Sequence, residues 1–399
     1  MKKAAIVIAA CIMLVPSVLG QLVRIAGDID RTALYLDADR LWSYNLYERS
    51  RWGVGLTLTN RVAELRGAPH GALSLYLGYS PYAELLTGGI GGSWHTGDRQ
   101  RISLALSHDL AAAGNRHTSA ATLREPSSLS SFMARRLNER WQATAGYGIE
   151  RGAIDFGVEL QGWRGWRLYD AGGLLYRRDS VTLPREDGIA AGATLSAYAG
   201  RYILTLQGGA TMPGTRRFLR LTAQYRQTFR GNIVKTHLFA QGGIVSRGAP
   251  YTFMFDLGGT WGSPLLFEGT LLTARPVEFT ADLYGLATLR LELAKPLFNL
   301  WNSYVAIGSR PIPFVGINLA WGTLRGMDTD GMLLHDGLRL QTPHMGIAEP
   351  LAGIDGLLRW GVVDWGLAAA WRIVPYGATY RYSAVRDNLS LLITARLTL

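Results

Sequence analysis

From about Arg51 onward, apolar and polar residues alternate with a period of two. Trp52, Val54, Leu56 and Leu58 are separated by Gly and Thr; Leu73, Leu75 and Leu77 by Ser74 and Tyr76; Ile102, Leu104 and Leu106 by Ser103 and Ala105. The cleanest run sets Ile154, Phe156, Val158 and Leu160 against Asp155, Gly157, Glu159 and Gln161. Tyr202, Leu204 and Leu206 oppose Ile203, Thr205 and Gln207, and Leu219, Leu221, Ala223 and Tyr225 oppose Arg220, Thr222, Gln224 and Arg226. Successive strand side chains point to opposite faces, so each run predicts a strand with one apolar and one wet face.

Arg151-Gly152, Arg164-Gly165, Gly200-Arg201, Pro213-Gly214 and Arg230-Gly231-Asn232 punctuate the runs and predict hairpin turns. Longer connections are expected over Asp109 to Ser128, Gly259 to Leu283 and Thr323 to His344. A soluble sandwich also alternates, but its strands run about five or six residues. Here they run near ten, roughly what a tilted strand needs to cross a bilayer. Trp141, Trp163, Trp166, Tyr169, Trp301, Trp321, Trp360, Trp365 and Trp371 flank them, as aromatic girdles do at membrane interfaces. The expected fold is all-β: an antiparallel up-and-down transmembrane β-barrel of about 16 strands, within 14–18.

Composition supports that class. Only 18% of the 399 residues are charged, 48 are Gly and 10% are aromatic, which excludes a disordered chain. Mean hydropathy is +0.07, high for a soluble protein and low for a bundle of membrane helices. Residues 1–20 carry Lys2 and Lys3, then an apolar core from Ala4 to Val15, then Val18-x-Gly20 before Gln21. They are expected to be a secretory signal peptide. Its removal takes away Cys11, the only cysteine, and lowers the net charge from +11 to +9. Residues 21–50 mix charges and aromatics, compatible with a periplasmic segment, a plug or an early strand; 51–399 are expected to form the barrel. The expected location is the cell outer membrane. Its partners there would be outer-membrane lipids, with lipopolysaccharide-type head groups, and barrel-assembly machinery. The alternation also continues through Leu391, Ile393, Ala395, Leu397 and Leu399. Such a strand resembles the signal read by that machinery, although this chain ends in Leu rather than the usual aromatic.

A more particular resemblance lies within residues 253–372. Glu278-Phe279-x-x-Asp282-x-Tyr284, Leu289-Arg290-Leu291-Glu292-Leu293 and Pro296-Leu297-Phe298 precede Gly346-Ile347-Ala348-Glu349, Gly353-Ile354-Asp355, Val363-Asp364 and Trp371-Arg372. Together they resemble the C-terminal barrel of the surface-antigen and outer-membrane assembly factor superfamily. The likeness is to its barrel-only members of the Bacteroidetes type. The resemblance implies a barrel without the tandem periplasmic domains of assembly factors. Those factors carry an Arg-Gly-aromatic tip on an inward loop, where this chain reads Phe267-Glu268-Gly269.

The residues expected to face the lumen are Asp155, Glu159, Arg220, Arg226, Arg290, Glu292 and Arg396. Opposed charges there would select solutes or, as a structural alternative, fill and stiffen a narrow interior. Met327-Asp328-Thr329-Asp330-Gly331 has the look of a Ca²⁺ turn but lacks the remaining ligands of such a loop. Ser107-His108-Asp109 would be parted by strand alternation. No catalytic residue, metal ligand or cofactor is therefore expected. Nucleic acid is not an expected partner either, since basic residues are scattered rather than gathered on one face. The expected function is a surface-antigen-like passive pore or structural envelope component. Alternatives are an outer-membrane enzyme acting on lipid or peptide at the loop rim, and a barrel-only assembly or secretion factor.

Overall fold

A computed structural model describes residues 22–27, 32–37, 40–45, 49–60, 70–96, 99–112, 136–170, 187–198, 200–212, 216–247, 249, 253–257, 271–274, 278–302, 307–325, 341–360, 363–378, 380 and 388–397. Most of them are strand. In chain order the strands are β1 (Leu22–Gly27), β2 (Thr32–Asp37), β3 (Trp42–Asn45), β4 (Arg49–Asn60), β5 (His70–Ser80), β6 (Leu85–His95), β7 (Gln100–Ala112) and β8 (Arg136–Arg151). There follow β9 (Ile154–Asp170), β10 (Asp187–Ala197), β11 (Tyr202–Met212), β12 (Arg216–Arg230), β13 (Val234–Val245), β14 (Phe255–Asp256) and β15 (Thr280–Ala281). The last are β16 (Leu283–Leu293), β17 (Leu300–Asn302), β18 (Ile307–Ser309), β19 (Ile312–Thr323), β20 (Ile347–Trp360), β21 (Val363–Trp371) and β22 (Leu389–Leu397).

Among the described residues, one sheet holds twenty of these strands, and β14 and β15 form a separate pair. Sequence neighbours pair antiparallel: β4 with β5, β5 with β6, β6 with β7, β7 with β8, β8 with β9 and β9 with β10. Farther on, β13 pairs with β16, β16 with β19, β19 with β20, β20 with β21 and β21 with β22. This is the antiparallel up-and-down fold class read from the alternation. Fifteen described strands run nine residues or more, long enough to cross a bilayer at a tilt. Adding β1 and β2 keeps the number inside the expected range. Within 21–50, β1 pairs with β2, and both β2 and β3 pair with β4.

One expected turn is absent. Arg164-Gly165 lies inside β9, which continues to Asp170 and pairs with β8 along its length. Alternation persists past this glycine, and Gly165 sits opposite Arg140 at a register shift, so it serves a bulge. The connection expected from Asp109 begins later, because β7 runs on to Ala112. Gly152 is the reverse case. It has φ +65°, a left-handed conformation that suits Gly, and reverses the chain between β8 and β9.

The described residues form two compact units: one within 1–199, 205–220 and 248–253, the other within 200–204, 221–247 and 254–399. In the first, Leu73, Leu75, Leu77, Ile102, Leu104, Leu106, Phe156, Val158 and Leu160 are exposed, while Ser103, Thr144, Gln161 and Gln207 are buried. In the second, Leu289, Leu291, Val315, Leu319, Leu367, Leu391 and Ile393 are exposed, while Thr288, Arg290, Glu292, Asn318, Glu349, Asp355 and Asp364 are buried. Each unit inverts the arrangement of a water-soluble sheet.

Exposed aromatics gather near the strand ends. In the first unit Trp94, Tyr147 and Tyr198 lie at the short-turn end, and Trp52, Tyr79 and Trp141 at the other. In the second, Tyr202, Phe229, Trp301 and Trp360 oppose Trp321 and Trp371. Trp163, expected among the exposed girdle residues, is instead 6% exposed on the polar face against Phe253. Its odd position in β9 puts it with Glu159 and Gln161 rather than with Phe156 and Val158.

Candidate functional site

In the second unit, alternation along β16 turns Tyr284, Leu286, Thr288, Arg290 and Glu292 inward. Arg290 sits opposite Gly316 of β19, where a Cβ would lie 2.5 Å from the Leu289 carbonyl oxygen. Only glycine permits that close approach. The Arg290 guanidinium lies 3.7 Å from the centre of the Phe314 ring and donates to Asp355 Oδ2 at 2.6 Å and Glu292 Oε2 at 3.3 Å. Glu292 lies 3.5 Å from Lys235 Nζ and 3.3 Å from His237 Nε2 on β13. Two carboxylates and three basic side chains thus share one buried level of the sheet. Coulomb attraction and hydrogen bonds offset part of the desolvation that each would otherwise suffer.

Toward the loop end, Thr288 Oγ1 donates to Asn318 Oδ1 at 2.8 Å, and Asn318 Nδ2 donates to Glu349 Oε1 at 2.8 Å. Glu349 is 0% exposed. Its carboxylate also accepts the backbone N–H groups of Leu272 and Thr273 at 2.9 and 2.7 Å and the Thr273 hydroxyl at 2.6 Å. Arg372, just past β21, grips the same segment. Its Nη1 and Nη2 reach the two oxygens of Glu278 at 2.7 and 3.1 Å, while Nη2 also donates to the Thr273 carbonyl at 2.7 Å. Asp282 accepts the Arg325 N–H at 2.9 Å. Tyr380 donates to the Gly346 carbonyl and accepts the Met345 N–H, and its ring stands edge-on to Phe279. Burial pushes the Tyr380 phenol above its ordinary range. The described parts of 271–282 are therefore pinned to the polar side of this unit by paired charges, a fixed arrangement rather than a reactive one.

The first unit differs. One cluster joins Tyr76, whose hydroxyl donates to Asp109 Oδ2 at 2.9 Å, to Arg51, 2.7 Å from Asp109 Oδ1. His108 turns the other way, stacking on Trp141 and lying 3.3 Å from Glu139. Alternation has parted the Ser107-His108-Asp109 string as expected of a strand. Toward the opposite end of β6 and β7, β6 to β11 line a cavity of about 440 Å³, whose charged lining is His95, Arg99, Arg101, Glu150, Asp155 and Glu159. One step farther along the same face, Trp163, Phe218 and Phe253 are buried together; Phe218 and Phe253 stack at 3.8 Å. A Cβ on Gly188 would lie 2.2 Å from the Trp163 ring, so this aromatic cluster needs glycine beside it.

The seven expected lumen-facing residues do not form one site. Asp155 is exposed and Glu159 half-buried, both in the cavity of the first unit. Arg220 is 2% exposed. Arg226 is exposed, 5.9 Å over the Phe239 ring. Arg290 and Glu292 meet in the buried cluster. The Arg396 side chain lies outside the described residues, as do the Met327–Gly331 turn and the Phe267-Glu268-Gly269 string. Among the described residues, no group of three or more His, Cys, Asp or Glu is placed to hold a metal.

Glu278, Asp282, Glu349, Asp355 and Arg372 were not expected site residues, yet they form the second unit's buried pairs. The sequence carries a signal for them: they are the charged members of the motifs behind the surface-antigen resemblance. What alternation lacks is any means of pairing residues 94 positions apart, such as Glu278 and Arg372.

No family model matches the sequence. No curated protein matches it. Among solved structures, CdiB from Acinetobacter baumannii is similar at a TM-score of 0.46 and 11% identity, covering 89% of this chain and 58% of that one. CdiB from Escherichia coli is similar at 0.46 and 13%, covering 93% and 64%. A bacterial polysaccharide outer membrane secretin reaches 0.34 and 10%, covering 92% and 97%. The chain thus spans less than two thirds of either CdiB chain.

Proposed function

We propose that this chain is an outer-membrane β-barrel, exported by a signal peptide at residues 1–20, that acts as a passive pore for small hydrophilic solutes. One observation carries the reading: in both units runs of apolar side chains at alternate strand positions are exposed, such as Leu104 and Leu289, while polar neighbours such as Ser103 and Arg290 are buried. Water would penalise such an exterior, whereas lipid accepts it, and closure would satisfy the strand edges. The exposed aromatics near the strand ends support the same reading, because Trp and Tyr favour the head-group level. On this reading the partners are outer-membrane lipids and, during biogenesis, barrel-assembly machinery. The surface-antigen kinship of 253–372 is part of this proposal, and it is supported by the motif charges Glu278, Arg290, Glu292, Asp355 and Arg372, which pair among themselves in the second unit.

The experiment is single-channel recording of the purified full chain in planar bilayers. Steady ohmic steps are expected. Silence from protein that has inserted and resists protease would replace the pore with a structural envelope role. Turnover of a lipid or peptide by that preparation would replace it with an enzyme.

A further inference from the structure

The cavity of the first unit has features that a packed wall does not need. Across it the register aligns Arg101 of β7 with Gly148 of β8, Gly157 of β9 and Thr194 of β10. One step along, Ser103 aligns with Gly146, Glu159 and Gly192. Glu159 therefore has glycine beside it on both neighbouring strands. Arg101 leans over Gly148, its guanidinium nitrogens 3.9 Å from where a Cβ would stand. Arg101 and Glu159 start from strands two spacings apart, roughly 10 Å, and two residues out of level, with the glycines of β8 between them and the Arg101 side chain lying over Gly148.

The chemistry of the lining is also divided. His95, Arg99 and Arg101 come from β6, β7 and the turn joining them, while Glu150, Asp155 and Glu159 come from β8, β9 and the turn end they share. Gln161 and Gln207, both buried, and Thr194 and Thr205, whose hydroxyls lie 3.3 Å apart, supply neutral donors and acceptors deeper in. Beyond them stands the buried aromatic cluster of Trp163, Phe218 and Phe253, which excludes polar groups at that end. Glu150 and Asp155 are exposed, so the mouth lies at the Arg151–Ala153 turn. Opposite charges on two sides of the cavity complement a ligand bearing opposite charges at its two ends.

We propose that this cavity binds small zwitterions, with the ammonium at Glu159 and Asp155 and the carboxylate at Arg101 and Arg99. It deepens the pore reading by naming its solute class.

The test is calorimetric titration of the detergent-folded full chain with alanyl-alanine and, separately, with its uncharged analogue N-acetylalanine amide. Saturable binding of the dipeptide is expected, and binding about tenfold or more weaker for the neutral analogue, because charge-assisted hydrogen bonds are lost. Arg101→Gln and Glu159→Gln should each weaken dipeptide binding by about tenfold. Gly192→Val should abolish it without altering a charge. A Cβ there meets nothing closer than 3.5 Å, and the new side chain stands beside Glu159; heat-modifiable mobility checks that the variant is folded. Absence of saturable binding, equal binding of both probes, or full binding by Gly192→Val would each overturn the proposal. The titration needs neither bilayer nor conduction. Binding by a protein silent in bilayers would remove the pore and keep the site; conduction without binding would do the opposite.

Discussion

Val158 and Glu159 are neighbours in β9, yet the first is 42% exposed on the apolar face and the second is half-buried on the polar one. Val158→Arg would place a charge in the lipid region at a cost of about 2–4 kcal/mol, whereas Glu159→Gln stays among polar groups. Heat-modifiable electrophoretic mobility should therefore fall sharply for the first and hold for the second; equal loss would contradict the assigned faces. Arg372 is the residue-scale test in the second unit. Arg372→Met strands the Glu278 carboxylate, 8% exposed, without its bidentate partner, at a cost of about 3–5 kcal/mol. Adding Glu278→Leu should recover much of that loss in denaturant unfolding. A double variant no more stable than the single one would show that the pair is not what holds the segment.

At the scale of elements, β22 is the informative strand. Leu392 packs on the buried cluster of Phe314, Leu351, Ala368 and Ala370, while Leu391 and Ile393 are 79% and 57% exposed. Deleting Leu391 to Leu399 would strip β21 of its partner from Val363 to Ala369, leaving those backbone groups unpaired in lipid at several kcal/mol each. Cell fractionation should find the truncated protein degraded or in the periplasm. Truncated protein recovered in the outer membrane at normal yield would refute this. Bulges lie at the same scale and are harder to read. Gly165 looks like a turn because Arg-Gly punctuates elsewhere, but cross-strand pairing with Arg140 keeps β9 extended through it.

For the molecule as a whole, the medium is the variable, and tryptophan reports it. Variants retaining only Trp94 or only Trp360, both well exposed at strand ends, should lose much of their fluorescence to bromine-labelled lipids. A variant retaining only Trp163, packed against Phe253, should be far less quenched. Equal quenching of all three would mean that the polar face of the first unit also meets lipid. A single strand's alternation only distinguishes two faces. The inversion across a whole unit, with carboxylates and guanidinium groups buried and leucines exposed, is what assigns lipid to one of them.

Local chemistry decided much from the sequence alone. Alternation at Ile154 to Gln161 suffices for a strand and its two faces, because the period of two is a property of extended backbone. Glycine at Gly152 suffices for a turn, because its left-handed φ is a local demand. What required the tertiary structure is everything set by partners distant in the chain. Arg290 and Glu292 are legible as inward charges, but Asp355 and His237 become their neighbours only through the registers of β13, β16, β19 and β20. Trp163 looks like a girdle residue until Phe253 covers it. Glu349 and Arg372 looked like scattered motif charges until the backbone of Thr273 came between them. Strand period is encoded locally; which charge meets which is decided by loop closures spanning tens of residues, and no local pattern carries that information.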